Sequence, residues 1–200
     1  MAAGAIRYDR LVGPALAGRL DDLAALRQRV FRDWPYLYDG DAAAERRYLE
    51  TYVRDPDAVI VAARTGDRAV GVATGVPLAG EPENVQAPLR AQGLAVESVF
   101  YFGESVLLPA WRGQGIGVAF FGHREAHARA LGRFTHAVFC GVVRDLADPR
   151  RPPGYVPLDD FWRKRGYRPL DGARCFFSWR EIGQTEESEK PMQFWIKALG

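Results

Sequence analysis

Apolar residues recur along this chain with two periods, and the two periods predict different elements. From Ala15 to Phe31 they return every three or four residues, which is the spacing of a helix that buries one face. The runs 58–63 and 69–76 are short and rich in valine, and the turn 65–67 between them predicts a hairpin. Asp41 stands where the N-cap of a second helix is expected, before another stretch of helical spacing.

The same periods, followed along the rest of the chain, predict an alternation of strands and helices. The predicted strands are 5–12, 58–63, 69–76, 96–108, 135–143, 174–179 and 192–196, and the predicted helices are 15–31, one after Asp41, 85–90, 115–131 and 161–165. The proline-rich connection 144–160 is longer than most connections in a compact domain, which suggests a functional loop such as a lid. We interpret the acidic stretch 186–190 as a solvated loop. With no repeat and no linker, we expect one mixed α/β domain around one sheet, over residues 1–200.

Composition and charge narrow the class of protein. Lys and Arg number 27 and Asp and Glu 25, so the net charge of +2 gives no reason to expect a nucleic acid or a membrane as partner. No stretch approaches the roughly 18 apolar residues of a membrane span, and residues 1–10 lack the apolar core of a signal peptide. Cys140 and Cys175 have no partners at metal-binding spacing, and Cys140 lies in an apolar run typical of a core strand. We therefore expect a cytoplasmic protein with reduced thiols.

The most informative stretch, residues 106–118, joins a strand to a helix through a glycine-rich turn and reads V-L-L-P-A-W-R-G-Q-G-I-G-V. A helix N-terminus has free backbone N–H groups and a partial positive charge, which attract anions. Gly113, Gly115 and Gly117 would let a pyrophosphate approach that backbone closely. No Lys-Ser or Lys-Thr follows the last glycine, as a P-loop requires, and Phe120 departs from the dinucleotide fingerprint. The turn therefore indicates an anion site of another kind.

This stretch resembles the signature of the GNAT superfamily of acetyltransferases. That signature is Gln or Arg, two free positions, Gly, one free position, then Gly or Ala, and Arg112, Gly115 and Gly117 fill it. Pro109 stands where the family favours proline, and the segment 161–167, F-W-R-K-R-G-Y, resembles a later aromatic–glycine element. The resemblance covers roughly residues 5–180. It implies a mostly antiparallel sheet with splayed middle strands and helices on both faces, and transfer of an acetyl group from acetyl-CoA to a primary amine.

The resemblance also implies where each ligand binds. Acetyl-CoA, as co-substrate, would bond the main chain of 106–108 in the gap between the strands near 99–108 and 135–143, with the Leu107 N–H polarising the thioester carbonyl. The pyrophosphate would lie on the amides of 113–118, with Arg112 adding charge or bracing the loop. The residues so assigned to acetyl-CoA are Val106, Leu107, Leu108, Arg112, Gly113, Gln114, Gly115, Ile116, Gly117 and Val118. The residues that would border the acceptor channel are Trp34, Tyr36 and Tyr38, for which packing of the first two helices is an equally good explanation.

Direct attack by an amine needs a group that accepts its proton. Glu104 is the first candidate for this base, and a structural role on the other face of the strand is the alternative. Strand alternation puts Glu104 and Ser105 on opposite faces unless a bulge intervenes, and leaves Tyr101 and Ser105 as reserves on the other face. In the family a tyrosine often protonates the leaving thiolate, but here Trp162 stands there and an indole N–H is no useful acid. Either another group such as Tyr155 replaces it, or the thiolate leaves unassisted, or catalysis is weak.

Several alternatives stay open. The loss of the usual tyrosine also fits a non-catalytic acyl-CoA-binding module, and a nucleotide-binding regulator is disfavoured by the missing P-loop lysine. His123 and His127 share a helical face, but a polar outer face explains them more simply and we expect no metal. The cluster 163–165 is more simply a solvated face than a contact for a CoA phosphate. The expected acceptor is the amine of a small molecule or a peptide. Polyamines and aminoglycosides have little support as acceptors, because no acidic cluster lines an obvious channel. Whether the protein forms a homodimer is left open.

Overall fold

A computed structural model describes residues 5–13, 15 and 20–200, and its elements follow the predicted order. Residues 16–19 of the predicted first helix lie outside the described residues. The strands are β1 Arg7–Leu11, β2 Val59–Thr65, β3 Arg68–Pro77, β4 Val99–Tyr101, β5 Ser105–Leu107, β6 His136–Val142, β7 Arg168–Arg180 and β8 Glu187–Ala198. The helices are α1 Leu20–Phe31, α2 Ala42–Arg54, α3 Glu83–Ala91, α4 Ile116–Ala130 and α5 Asp159–Arg163. The described helices include none that is long and apolar enough to cross a membrane.

The described strands form one mixed sheet in the order β1-β2-β3-β4-β6-β8-β7, with β5 also paired to β3. Neighbouring strands run antiparallel, except that β4 and β6 run parallel. The predicted hairpin is confirmed as β2 and β3, and the predicted N-cap is confirmed because the Asp41 side chain accepts the N–H of Ala43 at 2.9 Å. The mostly antiparallel α/β sheet predicted from the resemblance is therefore correct.

Helices cover both faces of this sheet. The helices α1 and α2 pack against each other on one face, where Thr74 of β3 donates a hydrogen bond to the Tyr52 hydroxyl of α2 at 3.2 Å. The helix α4 lies on the other face, where its Phe120 ring packs beside Gly71 of β3. Thr74 and Gly71 are three residues apart in β3. Side chains at these two positions therefore point to opposite faces of the sheet. The cavity described below lies between these two layers of helices.

The predicted strand from Val96 to Leu108 is wrong as one continuous strand, because a β-bulge separates β4 from β5. At this bulge Thr74 accepts a hydrogen bond from the Gly103 N–H at 3.2 Å and donates its own N–H to the Glu104 carbonyl at 3.0 Å. Two residues thus oppose one, which bends the strand and increases its twist. The sequence could not place this break, because it depends on the register with β3.

The stretch 186–190 is also not the predicted loop, because Glu187–Ala198 is a strand that pairs with β7 from Glu187 onward. Polar residues are tolerated here because the end of this hairpin is largely exposed to solvent. Lys190 is the exception, since its ammonium group is buried and donates to the carbonyls of Trp179 at 3.0 Å and Ser188 at 2.7 Å. The prediction of a loop was therefore wrong because it rested on the density of charged residues alone. The buried cation of this strand is bound by main-chain oxygens.

Candidate active site

The two central strands splay apart at the bulge. β4 pairs with β6, and the Phe102 N–H still reaches the Val138 carbonyl at 2.8 Å. β5 pairs with β3 instead, with Ser105 opposite Ala73. The splayed middle strands implied by the resemblance are confirmed, and a cavity of about 710 Å³ opens at this gap.

The register of β5 decides which of its backbone groups face the gap. The Leu108 N–H donates to the Val70 carbonyl at 3.0 Å, and the Glu104 carbonyl accepts the N–H of Thr74. Bonds alternate along an antiparallel ladder, so the amide of Val106 also points at β3, whereas the amide of Leu107 points into the gap. Of the three residues predicted to bond a ligand through their main chain, the structure therefore turns Leu107 toward the cavity and the amides of Val106 and Leu108 away from it.

The glycine-rich turn ends in an open helix N-terminus. Gly115 is the N-cap of α4 with φ 80°, and no side chain caps the helix there. The first N–H groups of a helix have no acceptor within it, so the amides of 116–118 are available to an anion. Gly113 also has a positive φ of 76°, and a methyl group at Gly113 or Gly115 would meet no atom within 4 Å. This turn therefore has both the donors and the open space that a pyrophosphate needs.

The other residues of the turn have different roles. A methyl group at Gly117 would lie 3.2 Å from the Phe161 ring, so this glycine allows α4 and α5 to pack closely rather than leaving space for a ligand. The Arg112 Nε donates to the Leu107 carbonyl at 3.3 Å, which braces the loop. Gln114 bonds the Ala110 carbonyl at 3.1 Å, and Ile116 is buried in the core. The cavity is lined by Arg112, Gly113, Gly115, Gly117 and Val118 but by neither Gln114 nor Ile116.

Glu104 lies at the cavity on the face covered by α1. Its carboxylate forms an ion pair with the Arg27 guanidinium, and Arg27 Nε also donates to Glu45 at 2.5 Å. The side chain of Glu104 is only 7% exposed, and its second oxygen, Oε1, has no hydrogen-bond partner among the described residues. The residue is therefore a buried carboxylate with one oxygen held by a cation and the other left to accept a proton or a water molecule.

The bulge changes the faces of the reserve residues. Ser105 is on the α4 face, opposite to Glu104, as alternation predicts. Tyr101 is not on the face of Ser105, because the bulge turns it to the face of Glu104, where its hydroxyl lies 3.0 Å from the Cys140 Sγ. Burial raises the pKa of the Tyr101 hydroxyl well above its ordinary value, so it keeps its proton at neutral pH. Cys140, which the sequence assigned to the core, lines the cavity.

Arg124 of α4 is a residue that sequence reasoning missed. It is 1% exposed, and its guanidinium donates to the carbonyls of Thr74 and Glu104, both at 3.1 Å, and to Ser105 Oγ at 2.8 Å. The same group lies over the Phe102 ring at 4.2 Å, and no carboxylate among the described residues pairs with it. Burial lowers the pKa of Arg124 to about 10, so it remains charged at neutral pH. The Arg124 guanidinium thus links both sides of the bulge. Its role could have been recognised in the sequence only because an arginine stands where the helical spacing predicts an apolar side chain.

Aromatic residues form part of the wall of the cavity. Trp34 and Tyr36 are among the residues that line it, and Tyr155 packs edge-on against Trp34 with ring centroids 6.0 Å apart. Burial raises the pKa of the Tyr155 hydroxyl, which therefore stays protonated at neutral pH. Tyr38 does not reach the cavity and instead forms a β-bridge with Glu181.

Trp162, which occupies the position of the usual tyrosine, fills space at the gap. Its ring lies 5.1 Å from that of Phe139 and 5.0 Å from that of Trp195. A methyl group at Gly141 would come within 2.7 Å of the indole, so that glycine makes room for it. The position therefore carries an aromatic ring but no hydroxyl.

The histidines and the basic cluster lie apart from this cavity. His127 contacts the Asp57 carbonyl at 2.8 Å, and the His123 ring packs at a tilt against that of Tyr8 with centroids 5.0 Å apart. Among the described residues no three His, Cys, Asp or Glu side chains come together as metal ligands would. Arg163 pairs with Asp160 at 2.8 Å on the surface.

Residues 23–151 match the family model described as "Acetyltransferase (GNAT) family". A comparison with curated protein sequences gives no match. A GNAT-family acetyltransferase of Streptococcus pneumoniae shares the fold with TM-score 0.61 and 10% identity, over 98% of this chain and 100% of that one. The ribosomal-protein-alanine N-acetyltransferase of Brucella melitensis gives 0.61 and 15%, over 97% and 99%.

A third structure with this fold is an aminoglycoside 6'-N-acetyltransferase complexed with coenzyme A, with TM-score 0.58 and 16% identity over 97% of each chain. At such identities the structures establish the fold alone. The family model, however, matches more than half of the chain and includes the bulge, the glycine turn and α4. The chain therefore belongs to the GNAT family of acetyltransferases.

Proposed function

We propose that this protein transfers an acetyl group from acetyl-CoA to a primary amine by direct attack in a ternary complex. One observation carries the proposal. The Leu107 N–H points into the gap between splayed strands, beside a helix N-terminus that is open to an anion. A donor that is fixed before the reaction stabilises the negative charge that develops on a carbonyl oxygen during acyl transfer.

The residues present fit acetyl-CoA. The amides of 116–118 and the space at Gly113 and Gly115 would hold its pyrophosphate, and the gap beside β5 would hold its pantetheine arm. Acetyl-CoA supplies the activated acetyl group as a thioester. Leu107 then has the role of polarising the thioester carbonyl, while Arg112 keeps the loop in place through the Leu107 carbonyl.

The amine must lose a proton before it attacks and a second one as the new C–N bond forms. Glu104 is proposed to accept the first of these protons, through the oxygen that Arg27 does not hold, and the second offsets the proton that the leaving thiolate takes up. Because the side chain is almost fully buried, transfer through one water molecule is the route that this geometry favours.

The CoA sulfur leaves with the electron pair of the broken C–S bond and needs a proton to become a thiol. Tyr155 is proposed to donate it, because it lines the cavity and burial keeps its hydroxyl protonated. The alternative function, a non-catalytic acyl-CoA-binding module, is favoured by one observation, which is that Trp162 places no hydroxyl at the gap.

An NMR titration of ¹⁵N-labelled protein tests the carrying observation. Acetyl-CoA should shift the amide resonances of 116–118 and of Leu107, whereas CoA without its acetyl group should shift mainly those of 116–118. A Leu107 resonance that acetyl-CoA leaves unmoved would show that this N–H does not meet the thioester.

A further inference from the structure

We infer that the acceptor is a small monoamine with an aromatic or apolar body and no second charge, an inference that rests on the proposed N-acetyltransferase function. Three features of the acceptor end of the cavity point to this class. They are its aromatic wall, its charge balance and the closure of its rim.

The acceptor end of the cavity is apolar. It is formed by the end of α1, the segment that follows α1, and the connection before α5. The Phe31 and Tyr36 rings pack at a tilt with centroids 4.6 Å apart, and Trp34 meets Tyr155 edge-on. The side chains concerned are Val30, Phe31, Trp34, Tyr36, Tyr155 and Val156. Such a wall gains free energy by covering an apolar body, and its ring faces attract one ammonium group.

The charged groups at the cavity leave no carboxylate for a second ammonium group. Glu104 is the one acidic side chain among the described residues that line the cavity, and Arg112 and Arg124 are its basic ones. The Glu104 carboxylate already pairs with Arg27 through one oxygen, so only its other oxygen can meet an amine. A polyamine or aminoglycoside would bring further ammonium groups into the cavity without partners, and an unpaired buried charge is costly.

The rim of the cavity beside this wall is the segment 36–39, and its main-chain groups are already hydrogen-bonded within the protein. This disfavours a peptide as the acceptor. The Asp39 N–H donates to the Arg180 carbonyl at 2.9 Å, and the Leu37 carbonyl accepts the Ile182 N–H at 2.8 Å. The Tyr36 carbonyl accepts the Trp179 indole N–H at 2.9 Å. An extended peptide is bound most simply by pairing with a free strand edge, and in the segment 36–39 these backbone groups are already bonded.

A panel of acceptors tested with the unmodified protein decides the substrate class. Release of free CoA thiol from acetyl-CoA is measured with 2-phenylethylamine, ethylamine, spermidine and a tetrapeptide with a free N-terminal alanine, at equal concentrations of free amine. We expect kcat/KM for 2-phenylethylamine to exceed that for ethylamine roughly 10- to 100-fold, which is the range that burial of one phenyl ring supplies. Spermidine and the peptide should not exceed ethylamine.

A higher kcat/KM with spermidine or with the peptide than with 2-phenylethylamine would overturn the substrate class and leave the N-acetyltransferase function standing. No thiol release with any of these amines, in protein that binds CoA, would overturn both. The two failures are therefore distinguishable in one experiment.

The variant Trp34→Leu tests the wall itself. It keeps an apolar side chain but removes the ring that meets Tyr155, so the ratio of kcat/KM between 2-phenylethylamine and ethylamine should fall about fivefold, mainly through KM. Phe176→Ala is the matched control, because Phe176 is half exposed on β7 and lies outside the cavity. A ratio that stays unchanged in folded Trp34→Leu protein would contradict the inference. If that variant does not fold, the panel with unmodified protein decides.

Discussion

Replacing Arg124 by methionine should slow acetyl transfer while leaving the protein nearly as stable as before. The arginine is buried and binds three oxygen atoms around the bulge. The two carbonyls among them, of Thr74 and Glu104, keep their ladder bonds across the bulge without it. Exchanging a buried charge for an apolar side chain of similar length is often neutral in free energy. The bulge, however, would lose the clamp that fixes the direction of Glu104 and of β5, and misplaced groups cost rate.

The variant Arg124→Lys, in contrast, should be clearly less stable than the unmodified protein. One ammonium cannot reach three acceptors, and a buried cation that loses partners costs about 3 kcal/mol. At about 2–4 °C per kcal/mol for a chain of this size, Tm should fall by about 6–12 °C. Circular dichroism melts and kcat/KM for acetyl-CoA are measured on both variants, with a loss of about tenfold or more expected for Arg124→Met. Unchanged kinetics in Arg124→Met, or a Tm as low as that of Arg124→Lys, would refute the reasoning.

Four further predictions follow from individual groups. Gly115→Ala forces a side chain into a left-handed backbone at a cost of about 1–2 kcal/mol and should weaken CoA binding in calorimetry, whereas Gly122→Ala, in open space inside α4, should leave CoA affinity unchanged. Glu104→Gln should lower kcat about tenfold or more at neutral pH and remove the acid limb of the pH–rate profile with little change in acetyl-CoA affinity; a surviving profile would assign the proton to another group. Tyr155→Phe should lower kcat about tenfold with unchanged cofactor binding, and an equal rate would favour unassisted departure of the thiolate. Burial raises the pKa of Glu81 to about 7. The protonated form of Glu81 therefore stabilises the folded state at low pH, and this contribution is lost as the pH rises through 7. Relative to Glu81→Gln, the free energy of unfolding of the wild type should fall by about 1 kcal/mol between pH 6 and 8 in denaturant titrations, and parallel pH dependences would contradict this.

Features that depend on short-range chemistry could be predicted from the sequence. The Asp41 cap, the β2–β3 hairpin and the glycine turn before α4 each need only a few neighbouring residues, and all are present. The role of the Leu107 N–H came from the family resemblance alone, and the direction of this amide toward the gap became clear only from the pairing of β5 with β3.

Features that depend on pairing between distant segments could not be predicted. The bulge requires Thr74 to face both Gly103 and Glu104, and a side chain at Gly103 would overlap the Tyr52 hydroxyl of α2. The face predicted for Tyr101 was wrong, because the bulge determines the direction of its side chain.

The clamp formed by Arg124 and the pairing of Glu104 with Arg27 join residues far apart in the chain. Tyr38 looked like its neighbours Trp34 and Tyr36, but its bridge to Glu181 takes it out of the cavity. Site residues supplied by separate elements are thus determined by the tertiary structure.

The central claim is most directly tested by following the acetyl group itself. The protein is incubated with acetyl-CoA carrying ¹³C in the acetyl carbonyl and with 2-phenylethylamine, and the label is traced by NMR while free thiol is titrated. The account predicts one equivalent of labelled N-acetyl amide for each equivalent of CoA thiol, at a rate that depends on the protein. Tight binding of acetyl-CoA with no labelled amide formed from 2-phenylethylamine, or from the other amines of the panel when they replace it, would contradict the account and identify the protein as a binding module.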